Sequence, residues 1–163
     1  VVLLCLSLSL LGACGRTQAP PCPVVNDTAR APSAGCFVMR NSQLLLVQDL
    51  NGQVSVPGGS SQADEPARCP AFRETWEETG LRVEPGRLLA VFDTGFHLYQ
   101  CHMGADSGAI DPPPRLEVRA AFFAPASDFA GFVWRFGYQQ QVLEHMLLSL
   151  PPETLYPRPA SSR

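Results

Sequence analysis

The sequence predicts a single α+β domain, or a mixed α/β sandwich of layers, and three observations carry that expectation. Short β-prone runs fill residues 36 to 56 and 87 to 124, a helical segment interrupts them at 66 to 79, and a second helical segment follows at about 137 to 150. Strands joined by hairpin-like links, with one helix between them and one after, lack the alternation that a doubly wound parallel sheet requires. A chain of 163 residues suits one compact core, and 45 % hydrophobic with 17 % charged residues suits an ordinary globular body. The net charge of −3 supplies no bulk attraction toward phosphate backbones or anionic surfaces, so a nucleic acid polymer is not an expected partner.

Taken in order, Val1 to Ala13 is apolar or small and uncharged, too short to span a bilayer and suited to a signal-peptide core. A buried apolar element is the bland alternative. The end of this segment, Leu11-Gly12-Ala13-Cys14, resembles a bacterial lipobox, which implies removal of residues 1–13 and a diacylglycerol on the sulfur of Cys14. Gly15 after that cysteine, by the same resemblance, implies an outer-membrane lipoprotein facing the periplasm. Residues 14–34 are proline-rich and aperiodic, as expected of a tether between a lipid anchor and a domain at 35–150.

Within that domain, Cys36-Phe37-Val38-Met39 and Leu44-Leu45-Leu46-Val47 form a hairpin around Arg40-Asn41-Ser42-Gln43. Asn51-Gly52 predicts a turn with positive φ at both central positions, leading into Gln53 to Val56 and then Pro57-Gly58-Gly59. The helix at 66–79 stops at Gly80, which suits a left-handed cap, while Pro70 implies an irregular first turn or a start near Pro70 itself. Strands follow at 87–93, 96–103 and 116–124, separated by a polar loop at 104–114. The last helix presents Val142, His145, Met146 and Ser149 on one face with Leu143, Leu147 and Leu150 beside it, and residues 151–163 read as a flexible tail.

With Cys5 lost with residues 1–13 and Cys14 lipidated, Cys22, Cys36, Cys69 and Cys101 remain and allow three pairings. An oxidising periplasm favours a disulfide, and Cys69 with Cys101 is the expected pair; free buried thiols are the alternative. No C-x-x-C spacing occurs, which argues against a cysteine metal site.

Chemistry concentrates in Arg73-Glu74-Thr75-Trp76-Glu77-Glu78, where three carboxylates fall at i, i+3 and i+4 and so adjoin on one helix face. An exposed acidic patch is the bland reading of such a cluster. Its setting argues for more: a glycine pair leads into it, Glu65 precedes it and Gly80 ends it, so a turn backbone and several carboxylate oxygens meet at one place. Hard cations such as Mg²⁺ need that kind of oxygen set.

The segment resembles the Nudix box, G-x5-E-x7-R-E-U-x-E-E-x-G-U with U a bulky apolar residue, through Gly59, Glu65, Arg73, Glu74, Glu77, Glu78, Gly80 and Leu81. A chance match is of order one in a million per chain. Thr75 departs from the apolar U position. The resemblance covers Gly59 to Leu81 closely and about residues 35 to 150 loosely, and it implies a mixed-sheet α/β/α sandwich of the Nudix type. It also implies that Glu74, Glu77, Glu78 and the Gly59 carbonyl hold Mg²⁺ or Mn²⁺, that Arg73 orients the glutamates, and that Glu65 assists. The implied activity is metal-dependent hydrolysis of a diphosphate linkage in a nucleoside-diphosphate-type or related small molecule.

Outside the box, Glu117 is the candidate added ligand or base, with His97 and His102 as weaker ones and a solvated strand end as the alternative. Trp76, Phe96, Tyr99, Phe132, Trp134 and Phe136 are expected mainly in the core; the aromatic run 129–138 could wall a pocket or meet a membrane. Two other functions compete. One is a catalytically silent lipoprotein that binds a diphosphate ligand or a protein partner. The other is a prenyl-diphosphate isomerase, which needs a cysteine and glutamate pair at the metal site that Cys69 does not obviously provide.

Overall fold

The computed structural model describes residues 18–24, 26–114 and 117–150. The leader, Cys14 and the tail at 151–163 lie outside the described residues. The ordered body runs through β1 (Ser33–Arg40), β2 (Gln43–Asp49), β3 (Val54–Ser55), β4 (Gly58–Ser60), α1 (Arg68–Thr79), β5 (Val83–Val91), β6 (Phe96–Met103), β7 (Val118–Pro125), a 3-10 helix (Ala126–Gly131) and α2 (Gln139–Ser149). One mixed sheet has the path β3-β2-β1-β6-β5, with β4 added to β1 and β7 to β2. β1 and β6 are parallel, Cys36 opposite Tyr99, and the other pairings are antiparallel.

Alternation along the strands sets the layers. Cys36, Val38 and Leu45 turn to one face, where Ala71 and Phe72 of α1 cover them; Phe37, Leu44 and Leu46 turn to the other, where Leu143 of α2 and Phe129 close the core. Helices on both faces of a mixed sheet make the expected α/β/α sandwich. The β1–β2 hairpin turns at Asn41 and Ser42, both at positive φ, which matches the right-handed strand twist.

Three details differ from the sequence-based expectation. Of Asn51 and Gly52 only Gly52 has positive φ. The Asp49 carboxylate accepts from the Asn51 and Gln53 amides at 2.8 and 2.9 Å, and the Asp49 carbonyl accepts from Gly52 N–H. The turn therefore centres one residue earlier, with Gly52 as its left-handed last member. In α2 the buried apolar residue is Leu143, with Met146, Leu147 and Leu150 packed beside it, whereas His145 and Ser149 are exposed. The cysteines, finally, pair as Cys22–Cys69 and Cys36–Cys101, not as Cys69–Cys101. The parallel register brings Cys36 beside Cys101, and the proline-rich tract brings Cys22 to the start of α1.

Expected as a tether, that tract lies along the domain over its described residues. Ala67 N–H donates to the Ala29 carbonyl, Ser61 N–H to the Pro32 carbonyl, and Arg68 N–H to the Asp27 carboxylate. Among the described residues no helix is long and apolar enough to cross a membrane.

Candidate active site

Helix α1 positions most of the acidic groups. Its first residue is Arg68, so Pro70 falls in the first turn, where a missing N–H breaks no intrahelical bond. Gly80 ends the helix at φ 75°, donating to the Trp76 carbonyl. A Cβ at this residue would also overlap the Asp111 backbone, so the glycine is required twice over. Thr75 is fully buried, and its hydroxyl donates to the Ala71 carbonyl at 2.7 Å. The departure from an apolar residue thus leaves no unpaired polar atom.

Arg73 is the hub of the acidic cluster. Its Nε and Nη2 each donate to a Glu65 oxygen at 3.0 Å, its Nη1 reaches Glu74 at 2.6 Å and Glu77 at 3.3 Å, and Nη2 also donates to the Ser60 carbonyl. Burial alone would lower the Arg73 pKa, but the hydrogen bonds and charges of Glu65 and Glu74 raise it above its ordinary value. Glu65 is thereby fixed at both oxygens, and its carboxylate also accepts from Gln62 N–H. Arg73 thus bonds Glu65, Glu74 and Glu77 at once.

Glu78 leaves the hub and accepts a hydrogen bond from Gly58 N–H at 2.9 Å. Desolvation, aided by the charges of Glu74 and Glu117 and opposed by the Gly58 bond and Arg135, pushes its pKa up to about 8. Glu74 is raised as well, chiefly by desolvation, against the pull of Arg73. Gly59 sits against Glu74 so closely that a methyl group there would overlap the carboxyl carbon.

An open cleft of about 490 Å³ collects Asp49, Gly58, Gly59, Glu74, Glu78, Glu117 and Arg135. The strand-end residue Glu117 thus joins two box glutamates across the cleft. Glu77, by contrast, borders a groove on the opposite flank of Arg73, together with Glu65, Cys22 and Pro20. His97 hydrogen-bonds Tyr99, His102 lies beside Gly86, and neither lines the carboxylate cleft; burial lowers the His102 pKa. Of the aromatic residues, Phe132 and Trp134 pack on the core and Tyr99 is buried in it, while Trp76 lines a separate cleft.

Beyond Gly58 to Ser60 lies a smaller, more apolar pocket of about 240 Å³, walled by Phe92, Phe96, Phe136, Tyr138 and Gln139. Arg135 borders both spaces. The backbone of this wall is held where Val54 N–H donates to the Val133 carbonyl and Arg135 N–H to the Val54 carbonyl. Sequence reasoning singled out neither Arg135 nor Gln139; the only signal was the aromatic density of the run around them.

The Nudix domain family matches residues 29–141. The chain belongs to the Nudix family. A MutT-like protein of Streptomyces ambofaciens is 40 % identical over 60 residues, a match spanning 36 % of this chain and 39 % of that protein. The chain therefore aligns with well under two thirds of that relative's length. Among solved structures, an ADP-ribose pyrophosphatase from Streptococcus suis is 25 % identical with a TM-score of 0.56, covering 69 % of this chain and 89 % of its own. A Nudix hydrolase from Nitrosomonas europaea gives a TM-score of 0.60 at 20 % identity, covering 82 % and 78 %, and shares the fold. These likenesses agree with the mixed-sheet sandwich anticipated from the box.

Proposed function

We propose that this Nudix chain hydrolyses a diphosphate linkage in a nucleoside-diphosphate-type or related small molecule, using Mg²⁺ or Mn²⁺. The observation that carries the reading is the meeting of Glu74, Glu78 and Glu117 with the Gly58-Gly59 backbone on one open cleft. Burial first, and the charges of neighbouring carboxylates second, raise the pKa of Glu74 and Glu78, and such desolvated carboxylates are a donor set a hard divalent cation fits, since the cation offsets the charge they would otherwise carry unpaired. Glu74, Glu78, the Gly59 carbonyl and, from the hub, Glu77 would hold it, with Glu117 as a further ligand or base. When bound, such an ion neutralises phosphate charge and acidifies its water.

The chain's own residues supply the rest. Arg73 restrains Glu74 and Glu77, so their oxygens need little reorganisation. Gly58 N–H holds Glu78. Arg135 brings a positive guanidinium to the mouth of the cleft, where a phosphate can meet it. Glu117 is exposed at the rim and can accept a proton from an attacking water. Among the solved relatives, the Streptococcus suis protein is an ADP-ribose pyrophosphatase, which agrees with a diphosphate substrate here.

The same reading has Cys14 lipidated and the domain facing the periplasm from a bacterial outer membrane. Two disulfides, one within the domain and one joining the proline-rich tract to it, suit an oxidising compartment. One observation favours the silent binding protein as a second reading: Glu77 lies on the Glu65 flank of Arg73 and not on the cleft that Glu74, Glu78 and Glu117 share.

Release of phosphate or nucleoside monophosphate from a panel of diphosphate compounds, with Mg²⁺ or Mn²⁺ and a Glu77→Gln control, separates the two. Turnover that the substitution removes supports the hydrolase. A folded chain that binds diphosphates yet turns none over supports the silent module.

A further inference from the structure

The two disulfides differ in what surrounds them. Cys36–Cys101 is sealed in the core, its cysteines 0 % and 3 % exposed, and it borders none of the clefts described above. Cys22–Cys69 borders the groove of about 300 Å³ on the Glu65 flank of Arg73, and Cys22 is half-buried. Exchange requires a thiolate to reach a disulfide sulfur, so in the folded chain the groove-side bond is the one open to attack.

That bond also fixes a segment against the acidic hub. Cys69, Phe72, Arg73 and Trp76 recur at helical spacing along the outer face of α1. The first three line the groove together with Gln18 and Pro20, and Trp76 lines a neighbouring cleft of about 750 Å³, again with Gln18 and Pro20. The start of the proline-rich tract therefore lies across this helix face, between the two spaces. Among the described residues, the hydrogen bonds from the tract to the domain begin at Asp27, which accepts from Arg68 N–H, and continue at Ala29, Ala31 and Pro32. Before Asp27 the tract is anchored by Cys22. Breaking this disulfide frees residues 18–24 while the chain from Asp27 onward stays in place.

We propose that Cys22–Cys69 is a site of reversible thiol–disulfide exchange, and that its reduction lifts residues 18–24 off α1 and opens the Glu65–Arg73–Glu77 flank to water. A dithiol is the co-reactant. One of its thiolates attacks Cys22 Sγ, the more exposed of the two, and the bond between the cysteines breaks. Cys69 leaves as a thiolate in the first turn of α1, where the helix N-terminus favours negative charge. The second sulfur of the reductant then displaces Cys22, so the reductant ends as a disulfide and its two protons end on Cys22 and Cys69. The consequence reaches the carboxylates through Arg73, which bonds Glu65, Glu74 and Glu77 from partial shelter. Water on that flank screens these contacts and loosens the glutamates. This last step rests on the metal reading of the carboxylates; the release of the strap does not.

The test treats the whole chain with graded dithiothreitol, alkylates the free thiols and maps them by mass, with acrylamide quenching of tryptophan fluorescence followed in parallel. Cys22 and Cys69 are expected to be alkylated at a dithiothreitol concentration about tenfold or more below that needed for Cys36 and Cys101. Reduction is expected to steepen the quenching and shift the emission to the red, because the tract that borders Trp76 has left, and Trp76→Phe should abolish both changes. The double variant Cys22→Ser, Cys69→Ser should show the steeper quenching without reductant, its Cys36–Cys101 bond intact as a check on folding. In an electron spin resonance titration it should bind Mn²⁺ roughly 10-fold more weakly than the oxidised chain, the low end of what support around metal ligands contributes. Reduction of all four cysteines together, or selective reduction that leaves Trp76 quenching unchanged, overturns the proposal. Equal Mn²⁺ affinity in the two forms overturns the link to the hub. Failure of both forms to bind Mn²⁺, with the strap released as expected, would sink the metal reading alone.

Discussion

On one side of the molecule's acidic centre, Glu74, Glu77 and Glu78 come from positions i, i+3 and i+4 of a single helix, Glu74 and Glu78 on the cleft and Glu77 on its flank, and Arg73 ties Glu74 and Glu77 to Glu65 through four carboxylate contacts between 2.6 and 3.3 Å. On the other side, Arg135, Phe136 and Tyr138 sit on an irregular run between a 3-10 helix and α2, fixed by two backbone bonds to Val54, with Phe136 and Tyr138 about two-fifths exposed. The helix wall is over-determined and charged. The loop wall is adaptable and aromatic. Such a division suits a fold in which the reacting centre must be held rigidly while the group that chooses the substrate can vary.

If the helix wall carries the chemistry, its substitutions should dominate any activity measurement. Glu78→Gln keeps the size of the side chain and its contact with Gly58 but removes a negative charge that faces Glu74 and Glu117. Its loss should lower the turnover of the metal-loaded chain about a thousandfold, the scale on which a ligand's charge acts in metal-assisted hydrolysis. A smaller drop than Glu77→Gln produces would place the reacting centre on the Glu65 flank of Arg73 instead, and steady-state kinetics of both variants decides between the two flanks.

Arg73→Lys should rank next. Lysine keeps the charge but cannot span Glu65, Glu74, Glu77 and the Ser60 carbonyl with one planar fork. Support of this kind is worth about 10–100-fold in metal affinity or activity. Titration of Mn²⁺ by its electron spin resonance signal should show the weakened affinity directly. An unchanged affinity would mean that the hub matters for folding and not for holding the carboxylates.

How much of this was legible beforehand follows the same division. The box residues were readable because a helix converts spacing into position: i, i+3 and i+4 must adjoin, and Gly80 must end the helix. Glu117 was a candidate only as the acidic residue that opens a strand-like run after the box; that it borders the same cleft as Glu74 and Glu78 depends on β7 lying beside β2, which the sequence does not display. Gln139 and Arg135 carried no such signal. Their placement depends on Val54 capturing the run after β7, a long-range pairing that leaves no period in the sequence. The disulfides were misassigned for a related reason: pairing Cys36 with Cys101 requires that β1 and β6 lie parallel, which local turn chemistry does not reveal. In α2 two adjacent apolar stripes were visible, and only contact with Phe129 and the sheet selects the one containing Leu143.

A milder contrast between the walls appears in pH dependence. Glu78 ordinarily titrates near 4.5 and is pushed up to about 8 in the folded, metal-free chain. Between those values the folded state keeps a proton that the unfolded state has released. The stabilising contribution is therefore complete below 4.5 and is lost as pH rises through about 8. The melting temperature of the metal-free chain should fall by several degrees from pH 5 to 8.5 on this account. Glu78→Gln, with no charge to release, should flatten that fall. A slope identical in the variant would assign the pH dependence to other groups.

The smallest effect is expected on the loop wall, and in stability rather than turnover. Phe136 is 41 % exposed; its ring touches Tyr138 and lies under the Arg135 guanidinium at 5.7 Å, but it is absent from both buried clusters. Truncation to alanine exposes little that was covered and leaves no buried cavity, so Phe136→Ala should change unfolding free energy by no more than about 0.5 kcal/mol, the usual range for surface substitutions. Chemical denaturation measures this directly. A loss of several kcal/mol would mean that the ring props up the start of α2, and the aromatic wall would then be part of the scaffold, as the charged wall is. A loss near zero leaves an exposed aromatic ring that the fold does not need for its stability, which separates the loop wall from the charged wall, where every side chain is held by its neighbours.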